Sequence, residues 1–324
     1  MLSFLLFNKN GPLKPRTALV LLAAILLPAA AGPSPPGRTV AVVKSSDWAV
    51  YEFATRVISE RLGSENDPVS LQQHTLEGVD QEERFWRELR QSNPSLVVTV
   101  GTQATRSAML HSGNLPVVFT MVLDHIGQQP GDTKKDFAGV TLNIPVDRQL
   151  EYLKKALPGA RRVGFIYSPG SEEVYESARR KAGSIGLQLV VEKVNSERDI
   201  PNTLRRMLPE IDVFWMPLDK LIFNYLVLSF VVTECFKNGV PIVSVYRIYA
   251  EAGIPITIGV DNEDIGRQTA ELVLKRLGNG KFSKPLVEYP RKYLLFINEG
   301  VASRLNIEIP DELKSLTVQV KSGS

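Results

Sequence analysis

The sequence predicts an α/β fold of two doubly wound parallel-sheet lobes joined by a hinge, and three observations favour it. Short apolar runs recur, each followed by a polar loop, and the clearest is LVVTVGTQATRSAM at 96–109. A continuous apolar run bounded by turn residues predicts a strand buried on both faces. Helical patterns separate these runs, as they do in doubly wound sheets. The alternation then restarts after a polar, turn-rich stretch at 129–139, which predicts a second lobe.

The first lobe begins with RTVAVVKSSDW (38–48), read as a strand and its loop, followed by a helical pattern at 51–62. VSLQQHTLEG (69–78) is the second predicted strand, and QEERFWRELRQSN (81–93) is an amphipathic helix. The stretch at 96–109 gives a third strand and helix. LPVVFTMVLDH (115–125) is the fourth strand, and FAGVTLNI (137–144) is a short strand that leaves the lobe.

The second lobe begins with a helix at 146–157, and strands are predicted near 163, 188, 212, 242 and 256. The segment 223–236 is apolar almost all round, which predicts a helix buried between the sheet and its neighbour. The alternative for this segment is a membrane-binding or partner-binding helix. A further helix is predicted at 261–280, with Asp261 or Asn262 as its cap and Gly278 at its end. Two short strands (286–289 and 293–298) and a surface-lying tail after Pro310 complete the chain.

The first residues resemble an export signal. Lys9, Lys14 and Arg16 form a charged region, 17–27 is an apolar run, and Ala29 and Ala31 are placed for cleavage before residue 32. We therefore predict a signal peptide at 1–31 and a periplasmic or other extracytoplasmic location; an uncleaved anchor is the alternative. The predicted lobes are 38–142 plus 261–292 and 143–260 plus 293–324.

Charge excludes one class of partner. The formal net charge is +3, but the predicted signal holds three basic residues and no acid, so 35 basic and 35 acidic residues remain. A nucleic-acid-binding protein normally has a basic surface, and this balance argues against one. The single cysteine, Cys235, lies in an apolar run and is predicted to be a buried thiol.

Three segments resemble a known family. They are NIPVDRQLEYLKKALPGARRVGFIYSPGSE (143–172), DVFWMPLDK (212–220) and VPIVSVYRIYAEAGIPITIGVDNEDIGRQTAELVLKRLGNGK (240–281). Their order and spacing, together with GTQAT and PVVFTMVLD in the first lobe, resemble the ABC transporter substrate-binding protein family. The resemblance implies a fold like that of type I periplasmic binding proteins, a small-molecule ligand, and a permease in the cytoplasmic membrane as partner. Some family members are thought to take amino acids, including aromatic ones.

The sequence departs from the family pattern at three places that face the cleft or the hinge. Leu123-Asp124-His125 replaces the usual Ser-Asp-Pro, and 132–136 replaces a Gly-Gly-Asn segment. Lys220 stands where the family usually has an asparagine. These departures leave the identity of the ligand open, and they are compatible with a role in sensing rather than transport.

Candidate ligand-binding residues follow the predicted strands, because ligands bind at the carboxyl ends of strands in open α/β sheets. Hydroxyl and amide groups there can hold a ligand carboxylate at a helix start, or simply cap the helix. Carboxylates can bind an ammonium group, although Asp261 can equally cap the next helix. Tyrosines can stack on a planar ligand or pack in the core. The candidates are Ser45, Ser46, Thr102, Gln103, Asp124, Tyr167, Asp219, Tyr246 and Asp261.

Sequence motifs do not point to catalysis. His74, His111 and His125 lack metal-ligand spacing, and the sequence contains no GxSxG elbow, no P-loop and no GxGxxG after a strand. We therefore predict a solute-binding protein of an ABC importer that closes about its ligand. It would have no catalytic residues, no metal, no cofactor and no nucleic-acid partner, and would be a monomer or weak dimer. A ligand-sensing periplasmic subunit and a doubly wound transferase-like enzyme are the alternatives.

Overall fold

The structure is a computed structural model that describes residues 38–64, 69–76, 78, 81–123, 136–222, 224–282 and 284–321. The predicted signal peptide and the candidate residue Asp124 lie outside the described residues. Within these ranges, strands and helices alternate along most of the chain, as the sequence predicts.

The first part of the chain alternates regularly. Its elements are β1 (Thr39–Lys44), α1 (Ala49–Gly63), β2 (Ser70–Thr75), α2 (Glu82–Gln91), β3 (Leu96–Val100), α3 (Thr102–His111), β4 (Val117–Val122) and β5 (Phe137–Thr141). All residues of β3, β4 and β5 are buried, as expected for central strands of a parallel sheet covered on both faces.

The remaining elements continue the alternation and end in three strands and a short helix. They are α4 (Val146–Ala156), β6 (Arg162–Tyr167), α5 (Glu172–Ala182), β7 (Gln188–Lys193), α6 (Ile200–Met207), β8 (Val213–Met216), α7 (Tyr225–Lys237), β9 (Ile242–Val245), α8 (Ile248–Glu251), β10 (Ile256–Val260), α9 (Asn262–Asn279), β11 (Leu286–Glu288), β12 (Tyr293–Asn298), α10 (Glu299–Arg304) and β13 (Thr317–Val320).

The strands form two sheets. The first has the order β11-β5-β4-β3-β1-β2, and the second has the order β13-β12-β10-β9-β8-β6-β7. The strand pairs described are parallel except β10 with β12. The prediction of an α/β fold with two doubly wound lobes is therefore confirmed.

Helices cover both faces of each sheet. Apolar residues of α1 and α9 pack on one face of the first sheet, and those of α2 and α3 pack on the other. In the second sheet, α4, α5 and α10 cover one face and α6 and α7 cover the other. The chain changes sheet after β5, after β10 and after β11, so three connections join the lobes near the same place.

Two expectations about the second lobe are corrected. The tail after Pro310 is not merely surface-lying, because β13 adds a parallel strand beside β12. The helix α7 is not buried all round: Leu228, Val231 and Cys235 are buried, whereas Tyr225 and Leu226 are about three-quarters exposed, at 76% and 75%. Burial raises the Cys235 pKa to about 12, which makes it the inert thiol that the sequence predicts.

Two smaller findings concern helices. Helix α9 begins after Asp261 as predicted, but it ends at Asn279 rather than at Gly278. Among the helices of the described ranges, none is both long enough and apolar enough to cross a bilayer.

Asp212 holds the start of the second sheet together. Its carboxylate accepts hydrogen bonds from the backbone amides of Arg161 and Arg162 and, at 2.8 Å, from the Arg162 guanidinium. The Arg162 side chain is the main reason that the Asp212 pKa falls from 3.8 to about 2. A lowered carboxyl pKa stabilises the fold above the unfolded-state value, and that contribution disappears as the pH falls towards 2.

Replacing Asp212 by asparagine is expected to lower the free energy of unfolding at pH 7 by about 1 kcal/mol, because solvent screens this half-exposed pair. Urea denaturation at pH 7 and pH 2.5 measures the difference from the wild type. We expect most of the difference to vanish at the lower pH. An equal loss at both pH values would show that the carboxylate charge is not the cause.

Candidate functional site

The two sheets enclose a cleft of 750 Å³ between their facing edges. The first lobe contributes the starts of α1, α3 and α9, the end of β4 and residues that follow β4 and β5. The second lobe contributes residues that follow β9 and parts of β10, β12 and β13. Most lining residues are apolar or aromatic: Trp48, Ala49, Val50, Tyr51, Phe53, Met121, Leu123, Leu142, Ile144, Tyr246, Val260, Leu294, Phe296 and Val318. The polar lining residues are Thr102, Arg247, Asp261, Asn262 and Glu263.

An aromatic pair stands at the start of α1. Trp48 and Tyr51 stack with their ring centroids 5.6 Å apart and their planes 18° from parallel. Trp48 is 66% exposed although it is the largest side chain type in the chain, so a large apolar surface faces the open cleft. Such a surface marks a place where another apolar group binds. Burial raises the Tyr51 pKa, so its phenol is neutral at ordinary pH.

Gly101 brings the β1 loop and α3 together. Its φ of +93° belongs to a backbone region that L-residues avoid. A β-carbon at this position would lie 2.6 Å from Ser45 Oγ and 2.8 Å from the Tyr51 hydroxyl. Because glycine has no side chain, Ser45 reaches across to cap α3, accepting a 2.9 Å hydrogen bond from the Ala104 amide.

The Ser45 hydroxyl also donates to the Val100 carbonyl at 3.0 Å, which occupies its only proton. The contacts of Ser45 are therefore those of a cap on α3, and a role for Ser45 in ligand binding stays a prediction. The amides of Thr102 and Gln103 are at the start of α3, where the first amides of a helix have no partner within it, and a role for them in ligand binding stays a prediction. Thr102 lines the cleft, whereas Gln103 is exposed and is not among the residues that line the cleft.

A buried lysine fixes the loop that carries Ser46 and Trp48. Lys44 is 6% exposed, and its ammonium donates to Asp47 at 3.0 Å and to Glu52 at a shorter distance. Thr75 of the neighbouring strand also donates to Asp47, at 2.7 Å. Burial opposes the charge on Lys44, but the hydrogen bonds to Glu52 and Asp47 outweigh it and raise the Lys44 pKa. The half-buried Ser46 lies within this braced loop.

Tyr246 enters the cleft from the second lobe in an unusual backbone conformation. Its φ is +76°, which is rare for a residue with a bulky side chain and is typical of functional sites. The Tyr246 amide donates to the Ile258 carbonyl at 3.1 Å, which fixes the turn directly after β9. Burial raises the Tyr246 pKa, so the phenol presents a neutral hydroxyl group.

Two charged residues that line the same cleft as Tyr246, Arg247 and Asp261, have different partners. The Arg247 guanidinium lies 5.6 Å from the Phe296 ring and pairs with Glu251 at 3.4 Å. Asp261 follows β10 and caps α9, with Oδ1 accepting from the amides of Glu263 and Asp264 at 3.0 and 3.1 Å. Both bonds use the same oxygen, Oδ1, and a role for Asp261 in ligand binding stays a prediction.

The other candidates in the second lobe lie away from this cleft. Tyr167 stacks on Tyr175 with ring centroids 5.5 Å apart and planes 3° from parallel. The Lys193 ammonium lies over the Tyr167 ring. Asp219 is buried, and its Oδ2 accepts hydrogen bonds from the Ser168 amide and from two serine hydroxyls at 2.8–2.9 Å. These contacts are internal to the lobe, and the proposed roles of Tyr167 and Asp219 in ligand binding stay predictions.

The structure thus brings Thr102, Tyr246 and Asp261 to one cleft and adds residues that the sequence reasoning missed. The sequence contains a pattern that could have identified Trp48 and Tyr51, because two aromatic residues three apart follow the first polar loop. The second-lobe wall formed by Leu294, Phe296 and Val318 had none, because it depends on the antiparallel pairing of β12 and on β13 beside it. Within the described ranges, no group of three His, Cys, Asp or Glu residues is placed to hold a metal ion.

The fold and the cleft define a class: a two-lobed α/β protein with a polar and aromatic pocket between its sheets. Comparison with known sequences agrees. The sequence model of the family described as ABC transporter substrate binding protein matches residues 67–321. This chain belongs to that family.

One relative in sequence and one solved structure are similar to this chain. The chain is 22% identical over 224 residues to the tyrosine-binding protein of Clostridioides difficile, and the match covers 66% of this chain and 63% of that protein. The ligand-free, open structure of CD0873, a substrate binding protein with adhesive properties from Clostridium difficile, superposes with a TM-score of 0.74 at 17% identity, covering 88% of this chain and 100% of the other.

A second solved structure is the ABC domain in complex with L-Trp from Streptococcus pneumoniae. It gives a TM-score of 0.56 at 24% identity, covering 88% of this chain and 99% of the other. At these identities the solved structures support the fold, which is that of type I periplasmic binding proteins.

Proposed function

We propose that the cleft binds one L-α-amino acid with a large apolar side chain, and that the protein delivers it to an ABC permease. The observation that carries this proposal is the composition of the cleft. A mostly apolar, aromatic lining surrounds a few polar groups of both signs, and a zwitterion with an apolar side chain needs both kinds of partner.

Each part of such a ligand has partners of suitable chemistry. The carboxylate fits the first turn of α3, where the Thr102 hydroxyl and unpaired amides meet the positive end of the helix dipole. The ammonium fits Oδ2 of Asp261 through a charge-assisted hydrogen bond. The side chain fits between the Trp48–Tyr51 stack of the first lobe and Tyr246 of the second.

The relatives support this choice of ligand class. One similar protein is a tyrosine-binding protein, and one similar structure holds L-Trp. The aromatic lining of this cleft is the main support for the proposal.

We further propose that the lobes 38–142 plus 261–292 and 143–260 plus 293–324 close about the ligand. The sheet membership of β11 and of β12 and β13 supports these boundaries. Ligand contacts made from both lobes favour the closed form, because a ligand shifts an equilibrium by its difference in affinity for the two states. A permease in the cytoplasmic membrane would then recognise that form. Export through the predicted signal peptide and a monomeric or weakly dimeric state complete the proposal.

A thermal-shift screen of the purified protein tests the ligand class. The panel contains the twenty L-amino acids, D-tryptophan, four nucleosides and four simple sugars. An L-amino acid with a large apolar side chain, present at a hundred times its dissociation constant, should add about 2.7 kcal/mol and raise Tm by about 5 °C. A shift caused only by nucleosides or sugars, or turnover of any panel member, would contradict the proposal.

A further inference from the structure

Strand β4 contains a bulge at the edge of the cleft. Its register with β5 pairs Phe119 with Gly139 and then Val122 with Thr141. Thr120 and Met121 therefore stand opposite the single residue Val140. A bulge of this kind adds one residue to one strand and re-aims a side chain.

The bulge breaks the alternation of side chains along the strand. Val117, Phe119 and Val122 all pack in the core beneath α2 and α3. The Thr120 hydroxyl accepts a 2.9 Å hydrogen bond from Thr269 of α9, on the opposite face. Met121 packs with α1 and α9 on that same face. Two successive residues thus point to one side, whereas a regular strand would have placed Met121 beneath α2 and α3.

Met121 adopts a left-handed backbone conformation to do this, with a φ of +57°. Methionine has no side-chain group that compensates for this conformation, and glycine would adopt it freely. The side chain is 3% exposed and lines the floor of the cleft. A strained residue that lines a cleft is characteristic of a functional position.

We propose that Met121 determines which ligand side chains the cleft accepts, by limiting the depth of its first-lobe floor. This inference rests on the proposed function. It adds that the β4 bulge exists to place a flexible, polarisable side chain against the apolar end of the ligand. Shortening Met121 should deepen the floor and favour the bulkier of two ligands.

The test compares binding of L-phenylalanine and L-tryptophan to the wild type, Met121→Ala and Met121→Gly by isothermal titration calorimetry. We expect both variants to shift the ratio of the two dissociation constants at least fivefold in favour of L-tryptophan. The glycine variant removes the side chain and also relieves the backbone, so it keeps the test valid where the alanine variant is poorly folded. Met207→Ala is the matched control, because Met207 is also 3% exposed but packs in the second lobe away from the cleft.

The outcomes separate the two proposals. Wild-type protein that binds neither of these amino acids nor any other L-amino acid with a large apolar side chain would overturn the proposed function, and the inference with it. Wild-type protein that binds both, with the same ratio in folded Met121→Gly as in the wild type, would overturn the assignment of Met121 alone. A shift of the same size in Met207→Ala would also overturn it, since the change would then follow from general loosening of the fold.

Discussion

Replacing Gly101 by alanine is expected to lower the free energy of unfolding by about 3 kcal/mol and to weaken amino-acid binding more than thirtyfold. The positive φ alone costs about 1–2 kcal/mol for an L-residue. The new β-carbon would also lie 2.6 Å from Ser45 Oγ and 2.8 Å from the Tyr51 hydroxyl. Overpacking of this kind typically costs a further 1–3 kcal/mol, roughly. Tyr51 lines the first-lobe half of the cleft, and Ser45 caps α3, the helix that carries Thr102, so binding should fall with stability.

Gly170→Ala provides the matched control. Gly170 has nearly the same φ, +95°, but a β-carbon there meets nothing within 4 Å. Urea denaturation of both variants therefore separates backbone strain from the clash, and calorimetry with L-tryptophan measures binding. We expect Gly170→Ala to lose only about 1–2 kcal/mol and to bind normally. Equal stability losses in the two variants would show that the clash of the new β-carbon with Ser45 and Tyr51 does not contribute to the loss.

Replacing Asp261 by asparagine is expected to weaken amino-acid binding about thirtyfold while leaving the fold nearly unchanged. Asparagine caps helices as well as aspartate does, so the hydrogen bonds to the Glu263 and Asp264 amides should survive. The variant loses the charge-assisted hydrogen bond to the ligand ammonium, which contributes about 2 kcal/mol to the binding free energy. Calorimetric titration measures the affinity, and urea denaturation measures the stability of the same sample.

Glu263→Gln is the control for this charge. Glu263 also lines the cleft, but its carboxylate already pairs with Arg267. We expect its affinity to stay within a factor of three of the wild type. If Asp261→Asn binds as tightly as the wild type, Asp261 is only a helix cap, and the ammonium of the ligand must find its partner elsewhere.

The parts of the fold that follow from local pattern were predictable from the sequence. The buried runs of β3 and β4, the amphipathic helix α2 and the capped start of α9 each carry a periodicity or a turn signal that depends on neighbouring residues alone. The same is true of Thr102, Tyr246 and Asp261, which follow strands directly and reach the cleft because parallel strands end at a common edge.

The rest depends on contacts between distant segments. Val318 enters the cleft because β13 pairs with β12, and no local pattern distinguishes this tail from a surface extension. Asp219 follows a strand as Asp261 does, yet the serines of the β6–α5 loop surround its carboxylate. Met121 belongs to a run whose alternation predicts a different direction, and only its pairing with β5 creates the bulge. Register between strands decides the cases of Val318 and Met121, and a single sequence does not encode it locally.

Calorimetric titration of the wild-type protein with L-tyrosine and with L-tryptophan tests whether the cleft binds an aromatic amino acid. We expect a single site per chain, a negative heat-capacity change from burial of the ligand side chain, and marked weakening in Asp261→Asn. Folded protein that releases no binding heat with either amino acid at several temperatures, or that binds one of them with full affinity in both Asp261→Asn and Gly101→Ala, would contradict it.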